Sequence, residues 1–383
     1  MYFQTNIYFL FFCTCMTTDL LYQLSLTQIS NIGCVHAKIL TELFETAEDI
    51  FKAKKTTLEK IEGIGTVRAN SIKAFHEFKE QDEEVRFIEK YNITPLFLKD
   101  EHYPKRLLNC YDPPTLLFYK GSANLNASKI ISIIGTRTNS EYGKQMTETI
   151  LNEVALYQPL VVSGLAYGID AIAHKNSIKK NLATVGVLAH GLDKMYPSQH
   201  AALAKEMLAA GGGLLTEFRK ETKPDKHNFP TRNRIVAGMC DATIVIETGI
   251  KGGSMITANL ANNYNKDVFA VPGKATDAKS EGCNYLIQSN KAVLIRNGND
   301  IAEQMGWEER KTKKENSRQK EIFITLSDEE KIIVELLKQK ETVSIDELTI
   351  NCNLNSSIIA SVLLTLELQG VVQSLPGKMY GLS

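Results

Sequence analysis

Runs of apolar residues alternate with stretches of helical periodicity between about residues 125 and 305 of the chain. The runs KIISIIG, PLVVSG, ATVGVLAHG, GGLLTE, ATIVIETG and DVFAVPG are apolar at most positions. Strands that are apolar on both faces, each followed by a helix, indicate a mostly parallel sheet that is covered on both sides. We therefore predict an α/β fold for residues 85–306, with an extended Rossmann-like, doubly wound parallel sheet.

The pattern over residues 16–80 is typical of short helices. The stretch LEKIEGIGTVRANSIKAF has the spacing of a helix-hairpin-helix motif, in which Gly63 and Gly65 form a tight turn whose amides can face a phosphate. An earlier copy, ISNIGCVHAKIL, has Asn31 in place of the first glycine and looks degenerate. We predict a helix-hairpin-helix (SAM-like) domain, and a helical domain that only packs on its neighbour fits the same pattern.

A charged stretch separates the predicted sheet from the end of the chain. EERKTKKENSRQKE contains four acidic and six basic residues and no apolar one, which predicts a solvated linker over residues 307–322. Over residues 323–383, Ser327 and Glu330 have capping-box spacing, and three helical stretches precede a turn with Pro and Gly. This order predicts a winged-helix domain.

The first fifteen residues, MYFQTNIYFLFFCTC, are uncharged and rich in aromatic side chains. They lack the basic region of a signal peptide and are too short to span a bilayer. We expect residues 1–15 to be a wrongly assigned start or a disordered segment, with the ordinary start at Met16. A short membrane-associating segment is the alternative.

Composition restricts the chemistry. Lys plus Arg and Asp plus Glu both number 44, so a site for nucleic acid has to be local. The seven cysteines are scattered, with no C-x-x-C pair and no histidine at zinc spacing. We expect reduced thiols in a cytoplasmic protein, with no metal and no cofactor.

The loops after the predicted strands carry the candidate chemistry, because ligands of such sheets bind at the carboxyl ends of the strands. The first loop, GTRTNSEYG, begins at Gly135 and has Arg137 where a dinucleotide fingerprint requires its second glycine. This argues against NAD binding. The guanidinium of Arg137 offers a planar pair of donors to a phosphate instead.

The second loop, SGLAYGIDAIAH, begins with Ser163 and Gly164, which permit a tight turn from strand to helix. Asp170 has the position of a helix cap. His174 follows about one turn later, and no motif places a nucleophile beside it, so a core position is favoured over a general base.

The segment HNFPTRNR brings cations and an aromatic side chain to the same predicted edge. Arg232 and Arg234 are expected to lie beside Arg137, with Lys226 preceding them. Phe229, together with Tyr196 from the preceding loop, would provide surfaces on which nucleobases stack while the cations bind phosphates.

The fifth loop, ETGIKGGSMITA, supplies amides at the start of a helix, where several free N–H groups form an anion site. The residues concerned are Gly249, Gly252, Gly253 and Ser254. A flexible turn is the simpler interpretation. Glu247 precedes them, and we hypothesise that it orients Arg137, Arg232 or Arg234 through a salt bridge.

These motifs together resemble the DNA-processing protein A family of bacteria, also called DprA or Smf. The resemblance covers about residues 90–300 through YPKRLLNCYDPPTLLFYKG, IIGTRTNSEYG, VVSGLAYGIDAIAH, VGVLAHGLDKMYP, GGLLTEF, HNFPTRNRIVAGMCD and ETGIKGGSMITANLA. It implies a protein that is not an enzyme, binds and protects single-stranded DNA, forms a homodimer and loads the RecA recombinase during natural transformation. The family motifs fall on Arg137, Lys226, Asn228, Phe229, Pro230, Arg232, Asn233 and Arg234.

Two other classes of function remain. A nucleotide phosphoribohydrolase of the related Rossmann group would use Glu247 as its acid and Arg137 as a phosphate clamp. The pattern of that enzyme group, P-G-G-x-G-T-x-x-E, places the acid after the glycines. In this chain Glu247 precedes the glycines. A transcription regulator would read duplex DNA with the third helix of the winged domain, but SSIIASVLLTLELQ contains no Lys or Arg. That helix fits a protein-binding surface or its own small core.

Overall fold

The structure is a computed structural model that consists of two compact units, Met1–Arg310 and Lys311–Ser383. It describes residues 19–307, 327–340, 343–352, 354–369, 371–375 and 379–382. The predictions for residues 1–15 and for most of the linker lie outside the described residues. No helix in the described ranges is both long and apolar enough to cross a membrane.

The first unit begins with a domain of short helices, which confirms the predicted fold of this region. The helices are α1 (19–26), α2 (Cys34–Leu43), α3 (Ala47–Lys52), α4 (Lys55–Glu59), α5 (Gly65–Ala74) and α6 (Lys79–Lys90). Their apolar faces form a core with Leu26, Leu58 and Ile72 at its centre. This core continues onto the first two strands of the sheet through Phe97 and Phe118.

The two hairpin turns share a left-handed residue at their first position but differ at the next glycine, where Gly65 has φ +60° and Gly33 has φ −95°. Gly63 has φ +82° and Asn31 has φ +69°, so both adopt the left-handed conformation that the turn needs. Asparagine tolerates this conformation better than most residues. The first turn contacts α5, because Arg68 Nε donates to the Asn31 carbonyl at 3.2 Å and Asn31 Nδ2 donates to Ser71 Oγ at 3.3 Å.

A nine-stranded sheet follows, in the order β1-β2-β6-β5-β4-β3-β7-β8-β9. The strands are β1 (Thr94–Phe97), β2 (Leu116–Gly121), β3 (Ile130–Ile134), β4 (Leu160–Ser163), β5 (Thr184–Val187), β6 (Gly213–Thr216), β7 (Ala242–Val245), β8 (Asp267–Ala270) and β9 (Val293–Leu294). The pairs from β6 to β9 are parallel, whereas β2 is antiparallel to both β1 and β6. The predicted doubly wound, mostly parallel sheet is confirmed.

Helices cover both faces of this sheet. They are α7 (Lys105–Leu108), α8 (Glu141–Val154), α9 (Ile169–Lys179), α10 (Ala201–Ala209), α11 (Asn228–Gly238), α12 (Gly253–Asn263), α13 (Glu281–Gln288) and α14 (Gly298–Gln304). Successive strand residues point to opposite faces, so Ile130 and Ile134 enter one core while Ile131 and Ile133 enter the other. All five residues of β3 are buried, which explains its continuous apolar run.

The second unit has the predicted winged-helix order. It contains α15 (Asp328–Gln339), β10 (Val343–Ser344), α16 (Ile345–Asn351), α17 (Ser356–Leu368), β11 (Val372–Leu375) and β12 (Met379–Leu382), with strand order β10-β12-β11. The predicted capping box is present, since Ser327 N donates to Glu330 Oε2 at 2.7 Å and Glu330 N to Ser327 Oγ at 3.2 Å. Ile359 and Leu363 of α17 are buried in the core of this unit, while Leu368 is 82% exposed.

Candidate nucleic-acid interface

The site lies where the strand order reverses. β3 has β4 on one side and β7 on the other, so the chain leaves the middle of the sheet in opposite directions and opens a crevice at the carboxyl ends of these strands. The cavity there has a volume of about 790 Å³. Of the predicted site residues, it is lined by Gly135, Arg137, Gly164, Tyr196, Lys226, Phe229, Arg232, Gly249, Gly252, Gly253 and Ser254. We call this cavity the cleft.

In one wall of the cleft, an arginine side chain stacks on a phenylalanine ring that is itself next to a tyrosine ring. Arg137 is exposed, and its Cζ lies 5.2 Å from the centroid of the Phe229 ring. The Tyr196 ring lies 6.1 Å from that of Phe229, with an interplanar angle of 53°. Tyr196 is 46% exposed. The wall therefore offers a guanidinium and an accessible aromatic face close together, as the sequence predicted.

Arg232 lies beneath this wall and is only 4% exposed. Its Nη1 donates to the Val187 carbonyl at 2.7 Å, and within the described part of the chain its Nε has no hydrogen-bond partner. Gly164 makes room for the guanidinium, since a Cβ at that position would lie 1.8 Å from Nη1. Burial lowers the pKa of Arg232 to about 10, against the opposing effect of Asp170. The side chain therefore remains a cation at neutral pH.

Asp170 does not cap its helix, contrary to the sequence interpretation. The N-cap of α9 is Gly168, and the Asp170 carboxylate turns back to accept hydrogen bonds from the amides of Gly164 at 3.1 Å and Ala166 at 3.4 Å. Burial raises the pKa of Asp170, while the positive charge of Arg232 lowers it. Asp170 and Arg232 therefore form an electrostatically coupled pair in the lining of the cleft.

The expectation that Arg234 joins Arg137 is wrong. Residues two apart on a helix point to different sides, so Arg234 leaves α11 away from the cleft and pairs with the Glu217 carboxylate and the Asp112 carbonyl. Burial raises the pKa of Glu217, and the Arg234 guanidinium lowers it. Arg234 thus anchors α11 rather than facing a ligand.

Ser163 and Asn228 also belong to the framework. Ser163 is fully buried, and its hydroxyl donates to the Ile133 carbonyl at 2.7 Å. Asn228 Nδ2 donates to the Lys223 carbonyl at 3.2 Å and braces the chain before α11. Neither residue lines the cleft.

The salt-bridge hypothesis for Glu247 is also wrong. Glu247 is 1% exposed, and its carboxylate accepts hydrogen bonds from the amide of Ser140, at 2.9 Å, and from the Ser140 hydroxyl. Its carbonyl accepts the Thr136 amide at 2.7 Å. Gly143 leaves space for the carboxylate, because a Cβ there would lie 2.3 Å from Oε2. Glu247 therefore fixes the loop that carries Arg137 rather than Arg137 itself.

The glycine-rich loop also lines the cleft. Gly252 is the N-cap of α12, and the first amides of a helix have no partner within the helix, which makes this end attractive to anions. Ser254 Oγ donates to Thr248 Oγ1 at 2.7 Å and stiffens the turn. Thr257, one turn after Ser254, also lines the cleft and was missed, although the helical spacing from Ser254 indicates it.

Of the three histidines that are buried in the described part of the chain, His174 and His190 belong to the candidate loop segments and make structural contacts. His174 lies in the core, as expected, with Nδ1 2.7 Å from Thr184 Oγ1, and burial lowers its pKa to about 3. His190 accepts the Tyr196 amide at Nε2, at 3.2 Å, and so shapes the loop that presents Tyr196. Among the described residues, no group of three or more His, Cys, Asp and Glu could hold a metal ion.

The sequence matches known families over most of its length. The family model described as DNA recombination-mediator protein A matches residues 94–306. Models described as DprA winged helix domain and helix-hairpin-helix motif match residues 324–378 and 20–85. The DNA processing protein DprA of Bacillus subtilis is 40% identical over 214 residues, which are 56% of this chain and 71% of that protein. The protein Smf of Synechocystis sp. is 34% identical over 287 residues, or 72% of this chain and 70% of its own.

Solved structures agree with these matches. The X-ray structure of DNA processing protein A (DprA) from Streptococcus pneumoniae has a TM-score of 0.63 at 28% identity, over 74% of this chain and 97% of that chain. DNA processing protein A from Helicobacter pylori, described with a unique single-stranded DNA binding mode, has a TM-score of 0.51 at 32% identity, over 56% and 96%. The chain belongs to the DNA recombination-mediator protein A (DprA/Smf) family.

Proposed function

We propose that the chain binds single-stranded DNA in the cleft and acts in DNA recombination. The observation that carries this proposal is the wall in which Arg137, Phe229 and Tyr196 lie against one another, in the same cleft as the start of α12. Cations and helix amides bind phosphates, and aromatic faces stack on any base, so the arrangement suits single strands of varied sequence. Family membership and the single-strand binding described for the Helicobacter pylori protein support it.

The proposed contacts divide by chemistry. Arg137 and Lys226 bind phosphates, Phe229 and Tyr196 stack on bases, and the turn at Gly252 and Gly253 receives a further phosphate. Arg232 contributes positive charge from below. Ser163, Asn228, Arg234 and Glu247, first predicted as part of the site, hold its framework in place.

An enzymatic role of the phosphoribohydrolase type fits the geometry less well. Such a mechanism needs an acid that reaches the ligand. The Glu247 carboxylate is buried, is bound by Ser140, and does not line the cleft. We therefore propose a binding function without catalysis, and release of free base from a nucleoside monophosphate by the purified chain would contradict it.

Self-association and delivery of RecA are the finer parts of the proposal. The edge strand β9 exposes Val293 and Leu294 by 47% and 44%, and Tyr285 of α13 is 41% exposed. An apolar sheet edge of this kind pairs readily with a second copy, so we propose a homodimer there. Sedimentation of Val293→Lys as a dimer would contradict this interface.

Failure of the chain to stimulate ATP hydrolysis by RecA on single strands coated with a single-strand-binding protein would contradict RecA loading.

We expect the chain to bind a single-stranded oligonucleotide more tightly than a blunt duplex of the same sequence. Stacking requires bases that are not already paired, and α17 carries no Lys or Arg with which to enter a groove. Fluorescence anisotropy across a salt series measures both affinities and the number of phosphates neutralised. Equal or tighter binding to the duplex would contradict the proposal.

A further inference from the structure

The segment between β6 and α11, residues 217–227, connects the cleft to the helical domain, and we call it the strap. Its last part carries Lys226 and leads directly into Phe229 at the start of α11. Its first part runs along α6. The position of two proposed DNA contacts therefore depends on how the strap is held.

Residues of α6 form hydrogen bonds and ion pairs with the beginning of the strap. Glu84 Oε1 accepts the backbone amide of Lys220 at 3.0 Å, and Glu84 Oε2 lies 3.6 Å from Arg219 Nε. Arg219 Nη2 donates to the Glu80 carbonyl at 3.0 Å, and Lys220 Nζ lies 3.2 Å from Glu83 Oε2. The Glu84 side chain is only 2% exposed. Within the described residues Glu84 Oε2 and Arg219 Nε make no hydrogen bond, so the Lys220 amide is the hydrogen bond that Glu84 accepts and Arg219 compensates its buried charge at ion-pair distance.

The middle of the strap is held from its other side. Glu221 has φ +67°, a left-handed conformation that a residue with a side chain keeps only where its surroundings impose it. Its amide donates to Asp193 Oδ1 at 2.9 Å, and the Thr222 carbonyl accepts the Gly191 amide at 3.2 Å. Asp193 belongs to the loop that carries Tyr196, so the strap also borders the stacking wall.

Polar contacts hold the first part of the strap to α6. A second cavity, of about 830 Å³, is lined by strap residues 217–222 together with Gly33 and Cys34 at the start of α2. The helical domain itself is joined to the sheet by an apolar core that includes Val85 and Ile88 of α6. Loss of the polar contacts should therefore free the strap while the domain stays attached.

We propose that Glu84 is a positioning residue for single-strand binding, which holds the strap so that Lys226 and Phe229 are in place before DNA arrives. The inference rests on the proposed function. A segment that is already ordered loses little conformational entropy when DNA binds. The contacts between α6 and the strap therefore increase the affinity for DNA, although α6 itself does not contact DNA. This gives the helical domain a role in DNA binding that does not need the hairpins to contact DNA.

The test uses the full chain with Glu84→Gln and Glu84→Leu. Glutamine removes the charge that faces Arg219 but keeps an oxygen for the Lys220 amide, whereas leucine removes both. We expect single-strand affinity to fall about threefold for glutamine, which loses the ion pair with Arg219, and about tenfold for leucine, which also loses the hydrogen bond from the Lys220 amide. The slope of log affinity against log salt should not change, because the bound state makes the same phosphate contacts.

The sign of the effect separates positioning from simple electrostatics. Removal of a negative charge raises affinity for a polyanion, so an increase in affinity, or no change, would overturn the proposal. Glu89→Gln, an exposed change on the same helix outside these contacts, is the matched control for the lost charge and should bind at least as tightly as the wild type. Hydrogen exchange of the amides at residues 219–223 should accelerate in Glu84→Leu, and unchanged exchange would also overturn it.

The wild-type measurement distinguishes the two possible failures. If the wild-type chain does not bind single strands, the proposed function is wrong and the positioning role is wrong with it. If the wild type binds and both Glu84 variants match it, only the positioning role is wrong. Far-ultraviolet circular dichroism confirms that each variant is folded, and Glu84→Gln provides the test if Glu84→Leu is not.

Discussion

An alanine at position 137 is expected to weaken single-strand binding at least about tenfold, because a hydrogen bond to a charged group contributes about 1.5–3 kcal/mol. Arg137 is exposed in the loop after β3, and its guanidinium stacks on Phe229 rather than on the core. Loss of one phosphate contact should make the plot of log affinity against log salt shallower by about 0.7 for a single strand. Anisotropy titrations at several salt concentrations measure both quantities.

The control for this variant is Lys179→Ala. Lys179 is an exposed cation at the end of α9, and because α9 runs back across the sheet, it lies at the edge opposite the cleft. This change should leave the affinity near that of the wild type. The thermal midpoint of Arg137→Ala should also stay near the wild-type value, since no cavity forms. An unchanged salt slope would place the site elsewhere, and unfolding would make Arg137 a structural brace.

The parallel part of the sheet could be predicted because the burial of its strands on both faces is visible in their sequence as continuous apolar runs. β3 is buried at every position, and a run that is apolar on both faces fits a covered parallel strand. The direction of β2 could not be predicted. β2 pairs in antiparallel fashion with β6, about a hundred residues away, and only that long-range partner determines its direction. The two-residue strand β9 is too short to leave a pattern.

The sequence predicts which loops meet at the site, but it does not predict in which direction each side chain of these loops points. The carboxyl ends of the strands brought Arg137, Phe229 and the glycine turn together, as the fold requires. Arg232 and Arg234 were grouped because they are close in sequence, but one residue lies between them, so they point to different sides of α11. Glu247 accepts its hydrogen bonds from Ser140, a partner that spacing alone does not indicate.

Replacement of Arg232 by methionine is expected to cost about 1–3 kcal/mol of folding free energy, the usual loss when a buried polar group is left without its partner. The methionine fills most of the space, but the Val187 carbonyl loses its donor, which now lies at 2.7 Å. Asp170 loses the charge that lowers its pKa, while its burial is unchanged. Denaturant unfolding of the full chain measures the loss.

Acidification should partly restore Arg232→Met. Burial already raises the pKa of Asp170, and without Arg232 the pKa rises further. A carboxyl whose pKa is higher in the folded state than in the unfolded state binds more protons when folded, so stability falls as pH rises through the folded pKa. The variant should therefore gain stability relative to the wild type as pH falls from about 7 towards the unfolded pKa of about 4. A stability difference that is flat over this range would contradict the coupling.

The double variant Arg232→Met, Asp170→Asn decides whether the pair or the arginine alone matters. Asparagine keeps an oxygen for the amides of Gly164 and Ala166 but carries no charge, so neither member of the pair is left buried and unpaired. We expect the double variant to recover more than half of the stability lost by Arg232→Met, because contacting residues couple by about 0.5–3 kcal/mol. If Arg232→Met loses DNA binding but less than about 1 kcal/mol of stability, Arg232 is a ligand for DNA rather than a partner of Asp170.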